Sequence, residues 1–310
     1  MSERQQRIEW LEEYIDWQKN VRRRSPLTTT QYKRTLYSFL HGIKDEPTLN
    51  ALSVSAVETW LMRPRDGRGH GKVGSPATLH REAATLRSFF RFLLERGHIH
   101  KNVMGLVGTP TVKNVAPRAI ADDHWNALWE SATERERLVL GLGYYVGLRR
   151  VEIVTLRRTH VVGDKLVGFV RKGGGEDVTP WGTMCRVYQK KLAHIWHGDF
   201  TDAVIEASTR EGEWLCGLGM ESTAHAVRVY GFTEGASRPG AVNLLMERLC
   251  ERARLPKVTP HQLRHSAATN MVRAGVPLVL VSRLLNHSEI QTTMRYVRAG
   301  AGELDEWLGS

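Results

Sequence analysis

The sequence predicts a mainly α protein with one small β-hairpin, built as a helical amino-terminal domain followed by an α+β domain. Three observations carry this. Segment 76–96 keeps Leu79, Ala83, Leu86, Phe90 and Leu93 on one helical stripe. Residues 108–117 hold two prolines and a glycine with no helical period, so they read as a linker. Apolar runs at 165–171 and 177–181 flank Lys172, three glycines and Glu176, the pattern of a hairpin with a glycine-rich tip. A chain of 310 residues exceeds the usual single domain, so the expected domains are 1–107 and 118–310 with 108–117 between them.

Taken in order, helical patterns cover 4–21, 30–42, 55–62 and 76–96. Between the third and fourth, residues 63–72 form a basic, glycine-rich loop that is suited to phosphates or simply solvated. In the fourth, Arg81, Arg87 and Arg91 lie off the apolar stripe, free for an external partner. After the linker, helices are expected over 122–131 and 134–145. Gly147, Leu148 and Arg149 then read as a turn into another helix, followed by the hairpin. Thr259 precedes Pro260, with Gln262 three residues on, which is a capping box and a proline at the first helical position. That helix should run to about Ala274 and stop at Gly275. No internal repeat is apparent.

Charge narrows the partner. The chain carries 44 Lys+Arg against 33 Asp+Glu, a formal charge of +11. Residues 1–117 hold 19 of the former and 11 of the latter, so most of the surplus sits in the first third. A polyanion such as DNA or RNA fits this balance, with the amino-terminal domain as the stronger electrostatic grip. Arg81, Arg87, Arg68 and Lys72 are the candidate contacts there. Cys185, Cys216 and Cys250 are odd in number and far apart, which argues against a disulfide framework or a paired-cysteine motif and for a reducing compartment. The first seven residues lack the apolar core of a signal peptide. The longest apolar-rich run, 138–148, is far short of the roughly 20 residues that span a bilayer. A cytoplasmic protein with no membrane association is expected.

His261, Arg264 and His265 fall at i, i+3 and i+4 of the helix that Pro260 opens, near an N-terminus that favours anions. Two blander readings stand beside an anion site: an ordinary core or solvated histidine pair, and a His-x-x-x-His zinc site, for which no third ligand is evident. His225 and Arg228 repeat the His-x-x-Arg spacing, but no cap precedes them. His287 follows, then Tyr296, with Ser288 and Gln291 placed to start a short helix that carries the tyrosine.

Together these segments resemble the tyrosine recombinases, the phage-integrase type of site-specific recombinase. Gly147, Leu148, Arg149 and Glu152 match that family's first arginine motif, and Lys172-Gly173 its hairpin lysine. His261, Arg264 and His265 match its second box. Leu285-Asn286-His287-Ser288 is similar to its Leu-Gly-His-Ser segment, and Thr292 to Tyr296 to its nucleophile segment. Two positions depart: Asn286 stands where glycine is usual, and Val146 where threonine is common. Segment 194–219 fits the family pattern poorly, and its role stays open.

The resemblance implies a helical core-binding domain ahead of a catalytic domain and a 3′-phosphotyrosine reaction that needs no metal and no ATP. Attack on a phosphodiester builds charge on the non-bridging oxygens, and Arg149 and Arg264 would clamp them through forked hydrogen bonds. Tyr296 would be the nucleophile, His261 the general base or its relay, Lys172 the acid for the departing 5′ oxygen, and His287 a phosphate hydrogen-bond donor. Glu152 would orient Arg149 or its neighbours, the alternative being a carboxylate on a helix surface; His265 would support the box.

The implied partners are double-stranded DNA with inverted-repeat core sites, other copies of the chain in a tetramer, and an accessory DNA-bending or directionality factor. The tail with Leu304, Trp307 and Leu308 on one face would dock on a neighbouring protomer. Helix is expected from about Arg4, which leaves no room before it for the extra arm-binding domain of some phage integrases. A compact two-domain member acting in a bacterial cell or phage-infected host, for integration and excision of a mobile element, is therefore expected. Xer-type dimer resolution, a type IB topoisomerase and a non-catalytic DNA-binding regulator are the alternatives.

Overall fold

The computed structural model describes residues 2–64, 73–111, 119–171, 176–219 and 235–286. Arg68, Lys72, Lys172, His225, Arg228, His287, Ser288, Tyr296 and the tail lie outside the described residues. The described residues divide into two compact units, the first holding 2–64 and 73–111 and the second 119–171, 176–219 and 235–286.

The amino-terminal unit contains α1 (Glu3–Asn20), α2 (Pro26–Gly42), α3 (Val54–Leu61) and α4 (Pro76–Glu95). One device starts all four. Ser2, Ser25, Ser53 and Ser75 each accept a backbone N–H from the first turn, and Pro26 and Pro76 occupy the first helical position of their helices. The second helix therefore begins at Pro26, ahead of the expected position 30.

Tyr14, Phe39, Phe89, Phe90 and Leu93 are sealed in this unit's core. Tyr14 meets Phe89 and Phe92 edge-on, at ring separations of 5.3 and 5.4 Å. The predicted stripe of α4 is buried, and Phe89 and Phe92 widen it. Arg81 and Arg91 are exposed. Arg87 differs from expectation: its guanidinium donates to Val107 O at 3.0 Å and to Thr109 Oγ1 at 3.3 Å, closing the end of its own unit.

In the second unit, α5 (Asp122–Ser131) and α6 (Glu134–Tyr144) precede a short α7 (Arg150–Thr155). A three-stranded antiparallel sheet follows in the order β1 (Val161–Val162), β2 (Lys165–Val170), β3 (Glu176–Thr179). Leu166 pairs with both Val161 and Thr179. The hairpin was expected with its second strand reaching residue 181. Instead Pro180 ends the strand and Trp181 opens α8 (Trp181–Lys191). The remaining described helices are α9 (Asp199–Thr209), α10 (Pro239–Arg252), α11 (Pro260–Arg273) and α12 (Leu278–Leu284).

α6 is the central post of this unit. A Cβ on Gly141 would sit 2.2 Å from Phe200, so only glycine lets α9 approach this closely. Trp125 stacks on Tyr144 at 3.6 Å, and Trp125 Nε1 and Tyr145 OH both donate to Ile195 O. Segment 194–219 thus has a structural role: it closes the aromatic core with Ile195 and Phe200, and Leu215 N bonds Leu156 O at 2.9 Å. The three cysteines are free and buried, and burial pushes the Cys185 and Cys216 thiols up to about 12. Among the described residues no helix is long and apolar enough to cross a membrane.

Candidate active site

Two distant segments of the second unit meet around one carboxylate. The first is the turn before α7. Gly147 has φ +72, so this turn favours glycine, and the Leu285 Cδ2 methyl lies 2.3 Å from where a Cβ would be. Arg149 then caps α7. Glu152, three residues on, accepts the Arg149 backbone N–H at 2.8 Å and its Nη1 at 2.9 Å. Glu152 is only 2% exposed, which rules out the helix-surface reading of this residue.

The second segment is α11, which starts as its sequence predicts. Thr259 N donates to Gln262 Oε1 at 2.9 Å and Gln262 N to Thr259 Oγ1 at 3.3 Å, with Pro260 at the first position. Its end is equally legible: Gly275, at φ +81, donates its N–H to Val272 O, and Val276 N bonds Met271 O. Arg264, 3% exposed, donates through Nη1 to Gly147 O at 2.6 Å, and the same nitrogen lies 3.8 Å from Glu152 Oε2. One buried carboxylate therefore sits between both guanidiniums.

The carboxyl end of α12 completes the frame. Arg264 Nη2 donates to Leu285 O, and Arg149 Nη2 donates to Asn286 O at 3.2 Å. Carbonyls at a helix C-terminus lack intrahelical donors and carry negative partial charge, so they suit cations. Asn286 adopts φ +47, the left-handed conformation. Asparagine tolerates that region better than other non-glycine residues, which explains its presence where glycine is usual. Val146, at the other departure, is 1% exposed and simply packs.

A cavity of about 510 Å³ is lined by Arg149, Arg150, Asn243, Lys257, His261 and Arg264, among others. His261 is exposed there. Desolvation of its ring, then the positive charges of Arg264 and Arg149, hold its pKa below the ordinary histidine value, leaving the imidazole neutral at neutral pH. The three motif residues do not all point together. His265 is 2% exposed, and burial followed by the neighbouring His261 lowers its pKa to about 4, so it belongs to the interior of the unit. Arg150, Asn243 and Lys257 escaped sequence reasoning. Lys257 precedes the Thr259 cap by two positions, and no spacing marks it as a cavity residue.

The tyrosines divide clearly. In the second unit Tyr144, Tyr145 and Tyr188 are buried, and burial raises all three phenols above their ordinary range. None of the three suits nucleophilic attack at neutral pH.

A cavity with two fixed guanidiniums and a neutral histidine, in a helical unit with a small sheet, suits an enzyme acting on a phosphate ester. A model described as the phage integrase family matches residues 118–302, and one described as the phage integrase N-terminal SAM-like domain matches 11–97. The chain belongs to the phage integrase family, and its activity is site-specific recombination. Similar curated proteins include tyrosine recombinase XerC of Chlorobaculum parvum, 28% identical over 97% of this chain and 93% of that protein. Tyrosine recombinase XerD of Oceanobacillus iheyensis is likewise 28% identical, over 97% of both. Among solved structures, a lambda integrase dimer bound to a COC′ core site shares the fold, with a TM-score of 0.69 and 17% identity over 93% of this chain and 76% of that one.

Proposed function

We propose that this recombinase cleaves one DNA strand by attack of Tyr296 on phosphorus, forming a 3′-phosphotyrosine and releasing a 5′ hydroxyl. The observation that carries the reading is the pair Arg149 and Arg264, drawn from distant segments and held on Glu152 beside neutral His261. Two positioned guanidiniums supply the charge stabilisation that a phosphoryl-transfer transition state needs. His261 takes the phenolic proton or relays it, Lys172 protonates the leaving 5′ oxygen, and His287 hydrogen-bonds the phosphate. The phosphotyrosine conserves the energy of the broken bond, so rejoining by the reverse attack needs neither ATP nor metal.

The substrate is double-stranded DNA with inverted-repeat core sites, bound by a tetramer whose carboxy-terminal tails dock on neighbouring protomers. The positive surplus of residues 1–117 supports the DNA partner, as does the core-site complex formed by the fold relative. An accessory bending or directionality factor completes the assembly, in the cytoplasm. The biological role is integration and excision of a mobile element. Xer-type dimer resolution is the second reading, favoured by the near-full-length likeness to XerC and XerD.

Covalent trapping tests this. The protein is incubated in EDTA with nicked duplexes that include candidate junctions from its source genome, and protein-linked DNA is sequenced, with Tyr296→Phe in parallel. Adducts at one inverted-repeat site, absent from the variant, are the expected result. Sites at element ends mark integration, and one chromosomal site marks dimer resolution. Adducts at dispersed sequences would indicate topoisomerase behaviour, and adducts that persist in Tyr296→Phe would overturn the assignment of the nucleophile.

A further inference from the structure

Three consecutive carbonyls end α12, and each receives a guanidinium. Asn286 O holds Arg149 and Leu285 O holds Arg264. Leu284 O accepts from Nη1 of a third arginine, Arg171, at 2.8 Å. Arg171 follows β2, is 2% exposed, and also donates through Nη2 to Thr179 Oγ1 on β3. Its guanidinium carbon lies 5.2 Å from the centre of the Phe169 ring, which is itself buried. Burying a guanidinium is costly, and an apolar side chain would fill the same space without that desolvation. What an apolar residue cannot provide is a fork that joins the sheet to the end of α12.

The geometry points to Arg171 as a positioning residue for the recombination reaction. By fixing Leu284, it fixes the next two carbonyls and so the orientation of Arg264 and Arg149. The sheet thereby sets the register of a clamp to which it contributes no side chain. This inference rests on the proposed role of Arg149 and Arg264 in neutralising the scissile phosphate.

The test uses single-turnover adduct formation by the full chain on two nicked duplexes, one with an ordinary scissile phosphodiester and one with a methylphosphonate there. The methylphosphonate lacks the charge that the clamp neutralises, so a loosened clamp matters less on it. Arg171→Met should slow adduct formation about tenfold or more on the phosphodiester and less than about twofold on the methylphosphonate, in line with the cost of small misplacements in a site. Arg171→Lys, which keeps the charge and one donor, should recover part of the phosphodiester rate. If Arg171→Met does not fold, as judged by thermal melting, the same two-substrate ratio is read on Arg171→Lys.

Equal loss on both substrates would make Arg171 merely structural and overturn the inference, as would no loss on either. Arg149→Ala separates the two levels. If it too loses equally on both substrates, the clamp reading fails and takes the inference with it. If it is relieved by the methylphosphonate and the Arg171 variants are not, the inference alone fails.

Discussion

Two groups of arginines, one in each unit, are used in opposite ways, although Arg7 and Arg87 of the amino-terminal unit are also tied to main-chain carbonyls. On α4 of the amino-terminal unit, Arg81 and Arg91 stand exposed on the side opposite a sealed aromatic core. In the second unit Arg264 and Arg171 are buried, and they and Arg149 are tied to main-chain carbonyls by at least one nitrogen. An exposed guanidinium contributes charge that salt screens and that tolerates many geometries. A fixed one contributes direction, already oriented before the substrate arrives. Under the proposed mechanism the same side chain would support affinity in one region and rate in the other.

The sharpest way to break this contrast is Arg264→Lys. Charge survives but the fork to Gly147 O and Leu285 O does not, so strand cleavage should fall by about 100-fold or more, while DNA affinity changes only a few-fold. Single-turnover cleavage beside a gel-shift titration measures both, and equal losses would erase the distinction.

The converse experiment is Arg81→Ala with Arg91→Ala. Binding should weaken and the slope of log affinity against log salt should flatten by about 0.9 for each phosphate no longer neutralised, with cleavage at saturating protein unchanged. A cleavage defect at saturation would show that these residues do more than hold DNA.

The smallest effect concerns stability. His265 has a folded pKa of about 4 against an ordinary 6.5, so between those values the unfolded chain binds a proton that the folded chain refuses. Stability from this group is present above about pH 6.5 and is lost as pH falls towards 4. Urea midpoints should therefore decline more steeply over that window in the wild type than in His265→Gln. Parallel decline would remove His265 as the source.

How much of this was legible in the sequence depended on whether a feature was local. The start and stop of α11 follow from Thr259, Pro260, Gln262 and Gly275, all neighbours of the residues they control. Ser25 and Pro26 carry the same kind of signal for α2, but the threonine run after Leu27 hides the apolar period there. Val178 and Trp181 suggested a longer strand, yet Pro180 turned the chain into α8.

Burial of Glu152 was not legible, because it depends on Arg264, which arrives far along the chain. Arg171 gave no signal at all, since its meaning lies in the carbonyl it meets. The proposed roles of Lys172, His287 and Tyr296 rest on sequence, as these positions lie outside the described residues.

The run of carbonyls from Leu284 to Asn286 also sets a limit on mutational scanning. Alanine at Leu284 removes a side chain and leaves the oxygen that grips the guanidinium, so a scan can pass over that position as tolerant. Substituents that alter the backbone itself, such as an ester in place of a peptide bond, would reveal what the side-chain record conceals. Drift in sequence at Leu284 is therefore compatible with an unchanged site, whereas position 286 stays limited to residues that tolerate φ +47.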